Sequence, residues 1–256
     1  MRRVLFLGTA GYHPSESRQT ACIMLPESGL VLDAGTGFFR VREHLASAKR
    51  LDIFLSHTHL DHCCGISFLF DVLYEQPIAE ANVYAAPEKI AALREHLLSE
   101  HLFPAELPIV WHELSERHTL ACGGRLTHHP LKHPGGSRAY RIDWNDWSLA
   151  YVTDTTAALD ASYVDFIRGV ELLIHECNFA DGMEEHAELT GHSCATPVAE
   201  VARAAGVEML VLTHLNPLSP DADPVGLEGM RKIFPLTFLA HDGMELTAGV
   251  DEEDIE

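Results

Sequence analysis

Basic residues are scarce in this sequence. Lysine and arginine total 18 against 38 aspartates and glutamates, giving a formal net charge of −20 at pH 7. A field of that sign repels polyanions and disfavours a long interface that tracks a nucleic-acid backbone. It leaves small anionic substrates open, because divalent cations can dominate the potential inside a pocket. Part of the acidity lies in Asp251-Glu252-Glu253-Asp254, read as a solvated tail over residues 251–256. Long apolar runs are missing as well. No stretch approaches the ~18 residues that span a bilayer, so no membrane partner is expected. Cysteine is sparse and scattered (Cys22, Cys63, Cys64, Cys122, Cys177, Cys194), with no C-x-x-C pair. That excludes a disulfide framework and a Cys-type zinc site, and leaves reduced, mostly buried thiols. No low-complexity segment, linker or internal repeat breaks the chain.

What is present is ordinary in bulk. The chain has 256 residues, 46% of them hydrophobic, enough for a packed core, and the simplest organisation is one domain over 1–250. The N-terminal run Val4–Gly8 follows two arginines but is too short for a signal-peptide core. It reads as a first buried strand, and the protein is expected in the cytoplasm. Further strands are predicted at Ala21–Leu25, Leu30–Asp33, Leu51–Leu55, Val83–Tyr84, Ile109–His112, Arg125–His129, Arg138–Ile142, Ser148–Val152, Leu172–His175, Val207–Leu212 and Thr237–Ala240. Helices are predicted at Phe38–Ala48, Ile66–Tyr74, Pro87–Glu100, Ala161–Arg168, Ala195–Ala205 and Val225–Ile233. Strands outnumber helices, which implies a layered α/β fold with helices covering two packed sheets.

Seventeen histidines are many for this length, and their spacing is what assigns them. His57-Thr58-His59-Leu60-Asp61-His62 follows a predicted buried strand and sets four ligand-capable side chains within six positions. Imidazole and carboxylate together suit zinc, manganese or iron. A lone histidine is usually a surface or hydrogen-bonded residue, but this cluster is not lone. One closed structural zinc needs only four ligands, and more candidates follow: Asp154, His175 and His214 each lie at the C-terminal end of a predicted strand, where sites are built.

The run has the H-x-H-x-D-H form of the metallo-β-lactamase superfamily, which the sequence resembles over nearly its whole length. Leu7-Gly8-Thr9-Ala10-Gly11 with Pro14 and Arg18, and Leu32-Asp33-Ala34-Gly35-Thr36-Gly37, are similar to the opening of the ribonuclease Z and cyclic-phosphodiesterase branch. So are Thr153-Asp154-Thr155, His175-Glu176-Cys177-Asn178-Phe179, Gly191-His192-Ser193, Leu212-Thr213-His214 and Ala240-His241-Asp242-Gly243-Met244. The resemblance implies a four-layer αββα sandwich and a dinuclear hydrolase, zinc being the first choice of metal and manganese or iron the others. It implies that His57, His59 and His133 hold one ion, that Asp61, His62 and His214 hold the other, and that Asp154 bridges them. Asp61 counts with His192 as catalytic. His192 is the implied general acid, although Ser193 or Thr196 could instead simply cap a helix there. His175 and Glu176 either orient ligands or end a strand, and His241 has no assigned role. His133 is preferred to His128 and His129, which are placed on the preceding strand. Cys63 and Cys64 are read as packing. Lys132, Ser137 and Arg138, with the turn Gly135-Gly136, are loose candidates for phosphate contact.

The tRNA-processing members carry an inserted arm between the third histidine and the bridging aspartate. Only 20 residues separate His133 from Asp154 here. Together with the charge, this argues against tRNA and for a small or cyclic phosphodiester, the extra cysteine-bound zinc of some relatives having no counterpart. The alternatives are a hydrolase of a lactone, thioester or other ester on the same metals, or a non-catalytic sensing module. A homodimer is a further implication of the resemblance.

Overall fold

The computed structural model describes residues 2–247 apart from Ser47, Cys122 and Pro220, so the acidic tail and Cys122 lie outside the described residues. Along the chain run strands β1 (Arg3–Gly8), β2 (Cys22–Leu25), β3 (Leu30–Leu32), β4 (Leu51–Phe54), β5 (Ala81–Ala85), β6 (Ile109–Glu113) and β7 (Arg117–Thr119). They continue as β8 (Arg125–Leu131), β9 (Ser137–Asp143), β10 (Ser148–Val152), β11 (Leu172–Glu176), β12 (Met209–Thr213), β13 (Thr237–Leu239) and β14 (Met244–Thr247). The helices are α1 (Leu60–Cys63), α2 (Leu69–Leu73), α3 (Pro87–Ala92), α4 (Tyr163–Phe166), α5 (Glu184–Thr190), α6 (Ala195–Ala205) and α7 (Leu227–Ile233). The described residues divide into two compact units, one formed by 2–9, 16–115 and 241–247, the other by 10–15 and 116–240.

The first unit holds a seven-stranded sheet of order β14-β1-β2-β3-β4-β5-β6. Its first pairings are antiparallel, and those from β3 to β6 are parallel. Strand β4, Leu-Asp-Ile-Phe, is buried throughout, the continuous burial that a parallel strand requires. Val31, Ile53, Val83, Leu51 and Ala81 join Phe38, Val41, Leu69 and Ile90 in the core. At the β1 end, the Asp242 carboxylate accepts hydrogen bonds from the Thr9 N–H (3.1 Å), the Thr9 hydroxyl (2.8 Å), the Gln19 N–H (2.6 Å) and Arg40 (2.5 Å). Arg18 donates to the Thr9 hydroxyl at 2.6 Å. The family-like Thr9, Arg18 and Asp242 are therefore a partly buried polar clamp on the strand end.

The second unit repeats the plan with a sheet of order β13-β12-β11-β10-β9-β8-β7, antiparallel from β7 to β10 and parallel from β10 to β13. Helix α6 buries Ala195, Val198, Ala199, Val201, Ala202 and Ala205. This is one stripe at helical spacing, and its small side chains let the helix lie close to Ala150, Val152, Leu173, Leu210 and Leu212 in the same core. Two mixed sheets flanked by helices agree with the expected α/β class. Among the described residues no helix is long and apolar enough to cross a membrane.

The sequence-based elements differ in places. The helix expected over 38–48 is a run of 3-10 turns, Thr36–His44. That expected over 87–100 is α-helical only to Ala92 and widens into a π-type turn at Leu93–Leu97. The run 66–74 is likewise divided between 3-10 turns at Cys64–Phe68 and α2. Strands β7 and β14 and helix α5 were not anticipated.

Just ahead of helix α7, the Asp223 carboxylate accepts the N–H groups of Val225 (3.3 Å), Gly226 (2.9 Å) and Leu227 (2.8 Å) and fixes the turn into the helix. Asp223→Ala is expected to lower stability by roughly 1 kcal/mol, the usual net worth of such hydrogen bonding. An unchanged urea-denaturation midpoint would contradict this.

Candidate metal centre

In the first unit, β4 ends at Phe54 and delivers Ser56 and His57; His59 precedes α1, and Asp61 and His62 lie within its single turn. The motif is thus partly helical. The ring centroids of His59 and His62 lie 4.5 and 4.3 Å from that of His57. Below them sits Asp33, fully buried and in the left-handed region at φ 60°. Its carboxylate accepts the Ser56 N–H at 2.7 Å, the Ser56 hydroxyl at 2.7 Å and His62 Nδ1 at 2.8 Å.

These bonds settle where the imidazole protons are. A carboxylate only accepts, so His62 Nδ1 carries the proton. Ser56 spends its own proton on Asp33, so His57 Nδ1, 3.0 Å from the Ser56 oxygen, must donate to it. In a neutral ring the other nitrogen, Nε2, is then a lone pair. His62 Nε2 faces the Asp61 carboxylate at 3.4 Å. Two lone pairs that face each other in buried surroundings repel unless a cation or a proton lies between them.

The second unit shows the same arrangement. His133, between β8 and β9, donates from Nδ1 to the Gly191 carbonyl at 2.9 Å, and its Nε2 faces Asp154 Oδ2 at 3.4 Å. The other carboxylate oxygen, Asp154 Oδ1, faces His214 Nε2 at 3.3 Å. Asp154 therefore offers one oxygen to each of two imidazoles. Asp154 follows β10 and His214 follows β12, both with positive φ (50° and 54°). Strained backbone of this kind collects at functional sites. Asn178 holds the His214 carbonyl through its side-chain amide at 3.1 Å. Ligand atoms of Asp154, His192 and His214 all lie within 4.8 Å of one another. The donor chemistry of both units, buried nitrogen lone pairs set against carboxylates, fits a divalent ion such as zinc, manganese or iron.

His192 has its ring centroid 5.2 Å from that of His133 and 5.1 Å from that of His214. Its Nδ1 donates to Glu176 Oε1 at 3.1 Å. Glu176 has no exposed surface, and its carboxylate also accepts the N–H groups of Thr155 (3.0 Å), Asn178 (3.2 Å) and Ser193 (3.2 Å). That role of Glu176, left open by the sequence, is a bracket that holds three loops and the His192 ring. Capping is not the role of the Gly-His-Ser segment: the Ser193 hydroxyl donates to the Thr155 carbonyl (2.6 Å), and Thr196 is held by Asp181 through both its N–H and its hydroxyl. His175 lies within β11, next to its last residue. His128 and His129 fall on β8, as expected, bonded to Arg138 and Ser162. The Ser137 hydroxyl is committed to the Thr153 carbonyl at 3.1 Å, and Lys132 lies 3.8 Å from Glu188. Gly135 and Gly136, both at φ 77°, form the turn between β8 and β9. Cys63 packs in the first core, where burial pushes its thiol up to about 12. His241 is exposed and belongs to none of the clusters among the described residues.

The β-lactamase superfamily domain matches residues 29–215, and the chain belongs to that family. A ribonuclease Z of Methanothermobacter thermautotrophicus is 28% identical over 95% of this chain and 96% of its own length. Among solved structures, the metallo-β-lactamase fold protein YhfI from Bacillus subtilis superposes with a TM-score of 0.78 at 19% identity, covering 96% of this chain and 100% of that one. Human short-form tRNase Z gives 0.74 at 20% identity (97% and 100% covered), and a diphosphatase of the PhnP family gives 0.74 at 19% (96% and 97%). The expected fold and branch are both supported, and the class is that of a metal-dependent hydrolase. The argument against tRNA is overturned, because relatives named ribonuclease Z align along nearly the whole chain. Net charge is a property of the entire surface, and neither it nor a missing insertion decides what the site itself accepts.

One buried histidine carries a pH prediction. His175 donates from Nδ1 to the Glu176 carbonyl (2.7 Å) and accepts the Tyr163 hydroxyl at Nε2 (3.0 Å), and burial lowers its pKa below 6.5. The unfolded chain then binds a proton near pH 6.5 that the folded chain refuses. The stability from neutral His175 is complete above pH 6.5 and is lost as pH falls below it. Equilibrium unfolding of His175→Gln should show a shallower loss of stability below pH 6.5, by about one proton. An identical pH slope would refute this.

Proposed function

We propose that this chain hydrolyses phosphodiesters, small linear and cyclic ones among them, with two divalent ions. By the family resemblance, His57, His59 and His133 hold one, Asp61, His62 and His214 the other, and Asp154 is shared. The observation that carries the reading is the pair of committed imidazoles, His62 and His133, each with Nδ1 donating to a fixed acceptor and Nε2 aimed at a carboxylate. Ions bound there supply positive charge for phosphoryl oxygens and acidify water. Zinc is the metal we expect first.

The protein's own groups do the rest. Asp33 fixes the tautomers of His57 and His62 through Ser56 and directly. Asp154, on left-handed backbone just after β10, turns one oxygen to His133 and the other to His214. In this reading His192, braced at Nδ1 by Glu176, hands a proton to the leaving-group oxygen. Glu176 positions that ring.

The reading is tested with purified, metal-analysed protein on a panel of 2′,3′-cyclic nucleotides, bis(p-nitrophenyl) phosphate, a precursor tRNA, a thioester and a lactone. Cleavage of phosphodiesters is expected. Turnover of the thioester or lactone with none of the phosphodiesters would overturn it. His59→Ala and Asp154→Ala are expected to lose both metal and activity. His192→Ala should lower kcat by roughly 10²-fold or more while retaining metal; if it strips the metal instead, the division of roles is wrong.

A further inference from the structure

Five non-glycine residues among those described have left-handed backbone: Tyr12, Asp33, Glu75, Asp154 and His214. Three of them are site residues already described. Tyr12, at φ 61°, is the fourth, and its place in the fold is specific. The loop that carries it is pinned beside His214 by a parallel bridge from Ala10 to Leu215 and by the Gly11 N–H donating to the Leu215 carbonyl at 3.0 Å. Gly11 packs so tightly that a Cβ there would lie 2.4 Å from His214 Cε1 and 2.8 Å from Asn178 Nδ2. Only glycine fits between that backbone and the imidazole. One residue further on, Tyr12 stands with 81% of its surface exposed.

A bulky aromatic residue is a poor occupant for such a position. Left-handed backbone favours glycine or asparagine, and exposure of a large ring gains nothing from burial. The His13 ring stands edge-on to it at 5.5 Å, and His13 Nδ1 lies 2.8 Å from the Pro14 carbonyl, to which it donates. The ring is thus carried on a fixed loop within one residue of the backbone that touches a candidate metal ligand.

We infer that Tyr12 is a stacking residue that positions an aromatic ring of the substrate, of nucleobase type, at the rim of the site. The inference rests on the phosphodiesterase reading and names a substrate class for it: phosphodiesters that bear a base. Stacking on an aromatic side chain is tolerant of base identity, because every base has a π-face. Tyr12 touches no reacting atom, so its effect belongs in KM and not in kcat.

The test compares adenosine 2′,3′-cyclic phosphate with glycerol 1,2-cyclic phosphate, which presents the same bond without a base, on wild-type protein, Tyr12→Phe and Tyr12→Ala. The expected result is a rise of about tenfold in the KM ratio of the base-bearing to the base-less substrate for Tyr12→Ala. Tyr12→Phe should stay near wild type, and kcat should hold. An equal change on both substrates, or none, would overturn the inference and leave the phosphodiesterase reading standing. If the wild-type protein cleaves neither substrate, calorimetric binding of adenosine 5′-monophosphate decides. Weaker binding by Tyr12→Ala, again by about tenfold, supports the stacking role. Equal binding, or none by the wild type, overturns it.

Discussion

A neutral imidazole has one proton and one lone pair, and in both compact units of this protein the proton is already committed. Asp33 takes it from His62 directly and from His57 through Ser56. The Gly191 carbonyl takes it from His133. The lone pairs of His62 and His133 are then turned toward carboxylates, a geometry that is unfavourable by itself and favourable with a cation present. Much of the local structure follows from keeping those acceptors in place. Asp33 is held in left-handed backbone at the end of β3, and Gly191 ends α5 with its carbonyl aimed at His133. The parallel strands β4, β10 and β12 then bring the ligand loops to their C-terminal ends.

The same logic explains why the supporting residues are buried. A carboxylate that accepts three hydrogen bonds, as Asp33 does, or four, as Glu176 does, is satisfied without water, and it fixes donors that otherwise would rotate. Glu176 gathers backbone from three loops as well as the His192 ring. A change at either acid would be felt at several site side chains at once.

The cluster of metal-capable side chains was legible because metal chemistry demands particular side chains at short spacing, and His57 through His62 sets four of them in one run. The central strands were legible for a similar reason: β4 and β10 to β12 are short, mostly apolar runs bounded by polar loops. Helix α6 was read to the residue, since its apolar stripe is regular and Gly206 ends it. Other elements left weaker marks. Strand β7 is Arg-His-Thr and α5 is Glu-Glu-His-Ala-Glu-Leu-Thr, exposed segments whose pairing or capping, not an apolar period, holds them. Buried Phe38 and Val41 lie three apart, a spacing that suits 3-10 turns as well as an α-helix. The acceptors for the histidine protons were not legible at all. Asp33 reaches residues more than twenty positions away, and Gly191 acts through its carbonyl, which no residue type reveals. The tRNA question failed for another reason: total charge was asked to answer a local question.

The central claim is that this chain assembles a centre for two divalent ions. Titration of metal-stripped protein with zinc, followed by calorimetry and by mass spectrometry under native conditions, tests it most directly. The account predicts two ions bound per chain, with hydrolytic activity appearing as they fill. Saturation at one ion, no binding, or full activity in the stripped protein would contradict it.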